Sequence, residues 1–312
     1  MKKVLITGSE GFVGPHLWRE LESNGYEVFG TTLHSPESGL VKNVFVCNIE
    51  NQEEISSLVN KIMPDVIFHL AGWSNPASSF VNPQKTFEIN VIGLINLLES
   101  VRNINNYHPR IVAIGSAGEF GVVQEKDLPI RENTLLNPNS PYGVSKVSAW
   151  FICKQYISSY NLDIIYPTPF NHTGPGQPIG LLSPDIASQI AEIEKGKKEP
   201  IIYTGYLTTK RDICDVRDVV RAYRLLAEKG ETGQRYVICS GKSESVNEIV
   251  EKLCSFSKIK IEHKIDPSKK RPSDIPDQYG DYSKVNILTG WKPEIPLDKT
   301  LLDLLNWYRE KR

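Results

Sequence analysis

The residues best suited to do chemistry are Ser116, Tyr142 and Lys146. Tyr142 and Lys146 stand four apart in Pro141-Tyr142-Gly143-Val144-Ser145-Lys146, at the head of a helical pattern over 140–159. That spacing puts both side chains on one helix face. A lysine ammonium beside a phenol favours phenolate, drawing its pKa from about 10 towards working pH. Tyr142 can then hand a proton to a carbonyl that is being reduced. The spacing alone would also suit a solvated helix face. Ser116 decides between the two, because it follows a strand-like run at 110–114, from which its hydroxyl can meet the same carbonyl oxygen.

A strand-like run at 4–7 leads straight into Gly8-Ser9-Glu10-Gly11-Phe12-Val13-Gly14 and then a helical pattern. The first glycine permits a tight turn, the second lets backbone approach a pyrophosphate, and the third lets helix and strand pack closely. The unpaired N–H groups at the helix start face the anion. A dinucleotide cofactor follows, with Gly8, Gly11, Phe12, Val13 and Gly14 forming its loop. The end of the second strand, 30–34, carries neither Asp nor Glu. A carboxylate there would repel a 2′-phosphate, so its absence leans towards NADP, with NAD still possible. Asn48 and Ile49, after the third strand, are read as adenine-side contacts, although Asn48 equally suits a turn.

Strand-like runs at 4–7, 27–31, 43–47, 66–70 and 110–114 alternate with helical patterns at 15–24, 52–61 and 86–103. Such alternation predicts an α/β fold, a Rossmann-type doubly wound parallel sheet with helices on both faces. A further strand is expected at 163–166 and a return to the sheet near 236–239. Beyond Phe170 the chain loosens into Gly/Pro-rich loops at 173–178, 205–211 and 267–276, with helices expected at 184–195, 216–229, 246–256 and 297–310. The expected division is a cofactor domain over 1–170 with a return near 212–242, and a smaller substrate-binding region from 171–211 and 243–312.

The 312 residues, 40% of them hydrophobic, suffice for a substantial core. A net charge of −1 without a basic stripe sets nucleic acid aside. The opening apolar run is too short for a signal segment or a membrane span, so a cytoplasmic setting and no membrane partner are expected. Five scattered cysteines without a C-x-x-C pair read as thiols in a reducing compartment. No cluster has zinc-ligand spacing, and no metal is expected. The patterns at 86–103 and 140–159 carry Leu94, Leu97, Leu98, Trp150, Phe151 and Ile152, more apolar side chains than one sheet face readily buries. That surplus predicts a homodimer.

From the glycine loop through Ser116, Tyr142 and Lys146 the chain resembles the extended short-chain dehydrogenase/reductases, which implies that Leu70, Ala71, Gly72, Asn90 and Pro169 also line the cofactor cleft. The second half resembles the GDP-mannose-modifying branch. It does so through Phe170-Asn171-His172-Thr173-Gly174-Pro175-Gly176-Gln177, Arg211-Asp212 with Asp215-Val216-Arg217-Asp218, Arg271-Pro272-Ser273, and Gly290-Trp291-Lys292-Pro293. Over essentially its whole length the chain is most similar to GDP-4-keto-6-deoxymannose reductases. The resemblance implies a GDP-sugar substrate, its diphosphate held by Arg211 and Arg271 through paired hydrogen bonds, with Asn171 and Ser79 against sugar or phosphate. His172 is given no role in chemistry.

Three departures qualify it. The sister 4,6-dehydratases carry a glutamate two positions after the Ser/Thr, where this chain has Gly118. Glu119 follows, and on a strand it would point to the opposite face. Thr168 replaces an arginine common before Phe-Asn, and Tyr206 stands where an asparagine is common. The implied reaction is reduction of a 4-keto group. The alternatives are a 4,6-dehydratase or epimerase that recycles NAD(P), and a non-catalytic nucleotide sensor, which would have no use for a lysine beside its tyrosine. For a reductase, Glu119→Gln is expected to cost little beyond local packing.

Overall fold

Period-two alternation of apolar residues builds the centre of the molecule, seen in a computed structural model that describes residues 1–34, 43–205, 209–266 and 275–311. The chain runs through β1 (Lys3–Thr7), α1 (Gly14–Ser23), β2 (Glu27–Thr32), β3 (Val44–Val46), α2 (Gln52–Ile62) and β4 (Val66–His69). It continues through α3 (Pro76–Val81), α4 (Pro83–Phe87), α5 (Gly93–Arg102), β5 (Arg110–Ala113), α6 (Pro141–Tyr160) and β6 (Asp163–Pro169). Val4, Ile6, Val66, Phe68, Val112 and Ile165 point to one apolar cluster, while their neighbours Leu5, Ile67, Ile111 and Ile164 point to another on the opposite face. Both faces are thus buried, as a parallel sheet requires.

The second half gives β7 (Asn171–Thr173), α7 (Leu182–Glu194), β8 (Ile201–Thr204), β9 (Lys210–Arg211), β10 (Ile213–Asp215), α8 (Val216–Lys229) and β11 (Arg235–Ile238). It ends with β12 (Glu244–Ser245), α9 (Val246–Ser255), β13 (Glu262–Ile265), α10 (Ser283–Thr289) and α11 (Leu297–Glu310). Strand β11 returns to the sheet beside β6, completing seven strands in the order β11-β6-β5-β4-β1-β2-β3, every pair parallel. This is the Rossmann order with one added strand. Helices α7, α9 and α11 close a separate apolar cluster that includes Ile190, Ile202, Leu253, Leu301 and Leu304. Among the described residues no helix is long and apolar enough to cross a membrane.

The single helix expected over 86–103 is interrupted. A π-helical turn at Glu88–Ile92 joins α4 to α5, and such a turn inserts one residue and re-aims its neighbours. Asn90 sits in it, 3% exposed. Helix α5 then starts at Gly93, where a Cβ would lie 2.7 Å from Ile49 Cδ1. Two short helices, α3 and α10, had no periodic signal of their own. The start of α3 is set by local chemistry, with the Asn75 side chain accepting from Ala77 N and Ser78 N ahead of Pro76.

Candidate active site

Strand β5 delivers Ser116 to the head of a 3-10 turn over Ala117–Glu119. The Ser116 hydroxyl accepts from Gly118 N at 3.1 Å, and Ser116 N donates to Glu119 Oε1 at 2.8 Å. Helix α6 starts where Ser140 accepts from Gly143 N ahead of Pro141. Its first turn thereby sets Tyr142 beside Ser116, and the two hydroxyls are hydrogen-bonded. Lys146, one turn on, donates from Nζ to the Ile114 carbonyl at 2.8 Å. The structure thus brings Ser116, Tyr142 and Lys146 together. A Cβ added at Gly118 would lie 3.4 Å from Ser116 Oγ and 3.5 Å from the Tyr142 ring. That position therefore faces the same pair.

The electrostatics differ from the sequence expectation. Burial pushes the Tyr142 phenol up to about 12; the Ser116 hydrogen bond pulls the other way and the Glu119 charge adds to the rise. Lys146 does not draw the phenol down, because burial dominates; its Nζ points to the Ile114 carbonyl. Tyr142 is therefore protonated at neutral pH, the form that a proton donor needs. Burial pulls Lys146 down to about 8 against the attraction of Glu119. His69, behind it, is pulled down to about 3 by burial and by Lys146, and its neutral ring meets the Thr7 hydroxyl at 2.9 Å.

The glycine loop has the close approaches that a dinucleotide cradle demands. Gly8 has φ +69°, and a Cβ there would stand 2.9 Å from Ala71 Cα; at Gly14 it would stand 2.1 Å from Ser9 O. Thr31, unnoticed in the sequence, holds the loop through Gly8 N to its Oγ1 at 2.9 Å and Ser9 N to its carbonyl at 3.0 Å. Helix α1 begins at Gly14 with neither a side-chain cap nor an acidic first turn, so no side chain competes with an anion at its N-terminus. A Cβ at Gly72 would meet Asn90 Oδ1 at 3.0 Å and Lys146 Nζ at 3.9 Å. Gly8, Ala71, Gly72, Asn90 and Lys146 therefore form one continuous wall. Asn90 braces it, accepting from Trp73 N at 2.7 Å and donating to Ser145 Oγ at 2.9 Å.

The outlying cofactor positions are less uniform. Phe12 stacks on His172, centroids 6.0 Å apart, tying the loop to β7. Asn48 makes a turn, its Oδ1 accepting from Glu50 N at 3.0 Å, and Ile49 is buried against Gly93. Pro169 is buried at the end of β6. The end of β2 does carry a carboxylate after all: the Thr32 hydroxyl donates to Glu10, contributed by the glycine loop. A survey of β2 alone could not see it.

Of the residues assigned to substrate, Asn171 is exposed at the start of β7. Ser79 is fully buried, its hydroxyl accepting from Tyr142 N at 3.1 Å and donating to Pro76 O at 2.6 Å, so it braces Tyr142 from behind rather than lining an open surface. Arg211 donates from Nη1 to the carbonyls of Lys210 and Ile275 at 2.7 and 2.6 Å. Arg271 and Tyr206 lie outside the described residues. Thr168 is buried, 3.5 Å from Arg235 Nη2. Arg235 itself had one signal: a cation heading an otherwise apolar strand needs a buried partner.

The model for GDP-mannose 4,6 dehydratase matches residues 5–304 of this chain. The chain belongs to the GDP-mannose 4,6 dehydratase family. It is 30% identical to the GDP-6-deoxy-D-mannose reductase of Pseudomonas aeruginosa, over 98% of this chain and 96% of that one. It is 27% identical to the GDP-mannose 4,6-dehydratase of Yersinia enterocolitica, over 98% and 93%. The solved structure of RMD from Pseudomonas aeruginosa complexed with NADPH superposes with a TM-score of 0.88 at 29% identity, covering 99% of both chains. For a member of the GDP-mannose 4,6 dehydratase family, the bare Gly118 beside Ser116 and Tyr142 is the informative feature.

Proposed function

We propose that this enzyme reduces the 4-keto group of a GDP-6-deoxy-hexose, using NADPH. The observation that carries the reading is the geometry at Gly118. A carboxylate there would point at Ser116 and Tyr142, where a dehydratase needs its acid/base, and this chain has none. Glu119 does not replace it, because its carboxylate is fully buried on Arg235, Tyr166 and the Ser116 amide.

The residues divide the work. The Ser116 hydroxyl accepts from Gly118 N, and its own proton, which faces the Tyr142 oxygen, would turn to the keto oxygen. Tyr142, held protonated by burial, delivers the proton that the oxygen acquires. Lys146 would hold the nicotinamide ribose. Gly8, Gly11, Phe12, Val13 and Gly14 would cradle the pyrophosphate, with Leu70, Ala71, Gly72, Asn90 and Pro169 along the nicotinamide side and Asn48 and Ile49 towards the adenine. The bound cofactor supplies the hydride. Arg211 and Arg271 would take the diphosphate and Asn171 the sugar, all in the 171–211 and 243–312 region. NAD(H) remains a second reading, favoured by Glu10 at the end of β2, since a carboxylate there suits a ribose hydroxyl and repels a 2′-phosphate. The setting proposed is the cytoplasm, where free thiols persist.

Incubation with GDP-4-keto-6-deoxymannose and excess NADPH tests the stoichiometry. One NADPH oxidised per sugar is expected; product formed with no net NADPH loss would move the reading to a recycling dehydratase or epimerase.

The proposed enzyme is a homodimer, but not through all the side chains first suggested. Leu94, Leu97, Leu98 and Trp150 are buried within the chain against the sheet. Phe151 (56% exposed), Ile92 (48%) and Val144 (40%) remain outside on α6 and the adjoining π turn, and such a patch suits a second copy. Sedimentation at micromolar concentration is expected to give a dimer, and Phe151→Lys a monomer. A monomeric wild type would remove the proposal.

A further inference from the structure

Behind the Ser116 turn lies a charged pair that the reaction as described does not use. Glu119, from the turn, meets Arg235, from β11, and their side chains are 0% and 6% exposed. The Arg235 guanidinium lies 5.1 Å from the Phe120 ring, 5.3 Å from Trp150 and 5.9 Å from Tyr166. The Tyr166 hydroxyl stands 2.8 Å from the Lys146 carbonyl and 3.1 Å from Glu119 Oε1. Gly115 is a glycine because Glu119 and Tyr166 fill its side-chain space, with a Cβ there falling 2.6 Å from Glu119 Oε1 and 2.4 Å from Tyr166 Cε1. A packed pair of this kind is poor value as a source of stability alone, since well-packed apolar side chains generally do as well. Its position suggests another use.

We propose that Glu119 and Arg235 are positioning residues for the reduction: Glu119 fixes the Ser116 amide and supplies the counter-charge for Lys146, and Arg235 anchors Glu119 to the returning strand. This rests on the reductase reading. Among the described residues the titratable groups facing Lys146 are few. Glu119 comes from the turn, Tyr142 and Cys153 from its own helix, His69 from β4 and Tyr166 from β6, with Arg235 beyond Glu119 on β11. His69 is neutral, burial holds the Cys153 thiol up and Tyr142 stays a phenol. Glu119 is therefore the carboxylate that offsets the burial of Lys146.

Replacing the pair by apolar residues of similar size, Glu119→Leu with Arg235→Met, separates positioning from stability. The double variant is expected to keep a melting temperature near that of the wild type and to keep KM. Its kcat is expected to fall about tenfold to a hundredfold, the usual penalty for small misplacement. The Lys146 ammonium, followed by NMR on 13Cε-lysine-labelled protein and assigned with Lys146→Arg, is expected to titrate about one pH unit or more below its wild-type position. An unchanged Lys146 titration together with an unchanged kcat would make the pair purely structural. Should the double variant not fold, the same titration on Glu119→Gln below its melting temperature decides, again by a downward shift or none. If the wild type reduces no keto sugar, the functional reading fails while the Lys146 titration still tests the pair.

Discussion

Tyr142→Phe is expected to lower kcat about 10²–10⁴-fold, the usual worth of a positioned general acid, while NADPH affinity stays near that of the wild type. The ring is 8% exposed and its packing is unchanged by loss of the hydroxyl. The backbone around it, braced by Ser79 and by Ser145 to the Tyr142 carbonyl, is also untouched. Stopped-flow reduction and NADPH fluorescence titration separate the two effects. More than about a tenth of the wild-type rate would point to Ser116 as the donor. Activity that depends on the Lys146 ammonium is expected to fall as pH rises through about 8, because the charged form prevails below that value. Stability carries the opposite sign. The folded chain binds fewer protons at Lys146 than the unfolded chain between about 8 and the ordinary lysine value, so this residue's contribution improves as pH rises across that window.

The second large effect falls on stability. Glu119→Gln leaves Arg235 buried without its carboxylate, and breaking such a pair from one side costs about 3–5 kcal/mol. The expected fall in Tm, read by calorimetry, is on the order of 10 °C. The packing cost that the sequence reading allowed at Glu119 is thus a large one, because the carboxylate is paired with a buried Arg235. A melting temperature within about two degrees of the wild type would show that the pair is screened or water-filled.

The difference between those expectations shows what a sequence can carry. Local patterns survived: the alternation in Val4-Leu5-Ile6 and Val66-Ile67-Phe68 marked the sheet, and Gly8, Gly11 and Gly14 marked the loop because glycine is required by geometry. The i,i+4 spacing of Tyr142 and Lys146 placed both on α6 beside Ser116. What stayed hidden depends on side chains far apart in sequence. Glu119 meets Arg235 across 116 positions, and Glu10 reaches Thr32 across 22. No periodicity encodes either contact. The interruption at Glu88–Ile92 was invisible for another reason: a π turn keeps helical composition and changes only the phase. The lysine's effect on Tyr142 was misjudged because spacing shows proximity, whereas burial, which outweighs it, belongs to the folded chain.

Hydride delivery to the sugar's C4 is the central claim, and isotopic transfer tests it most directly. GDP-4-keto-6-deoxymannose is supplied with NADPH carrying two deuteriums at C4 of the nicotinamide, and GDP-mannose is supplied separately with catalytic NADP. The expected result is a GDP-6-deoxyhexose with one deuterium at C4 in the first incubation and no conversion in the second. A 4-keto-6-deoxy product formed from GDP-mannose alone, or a reduced sugar without deuterium at C4, would contradict the assignment.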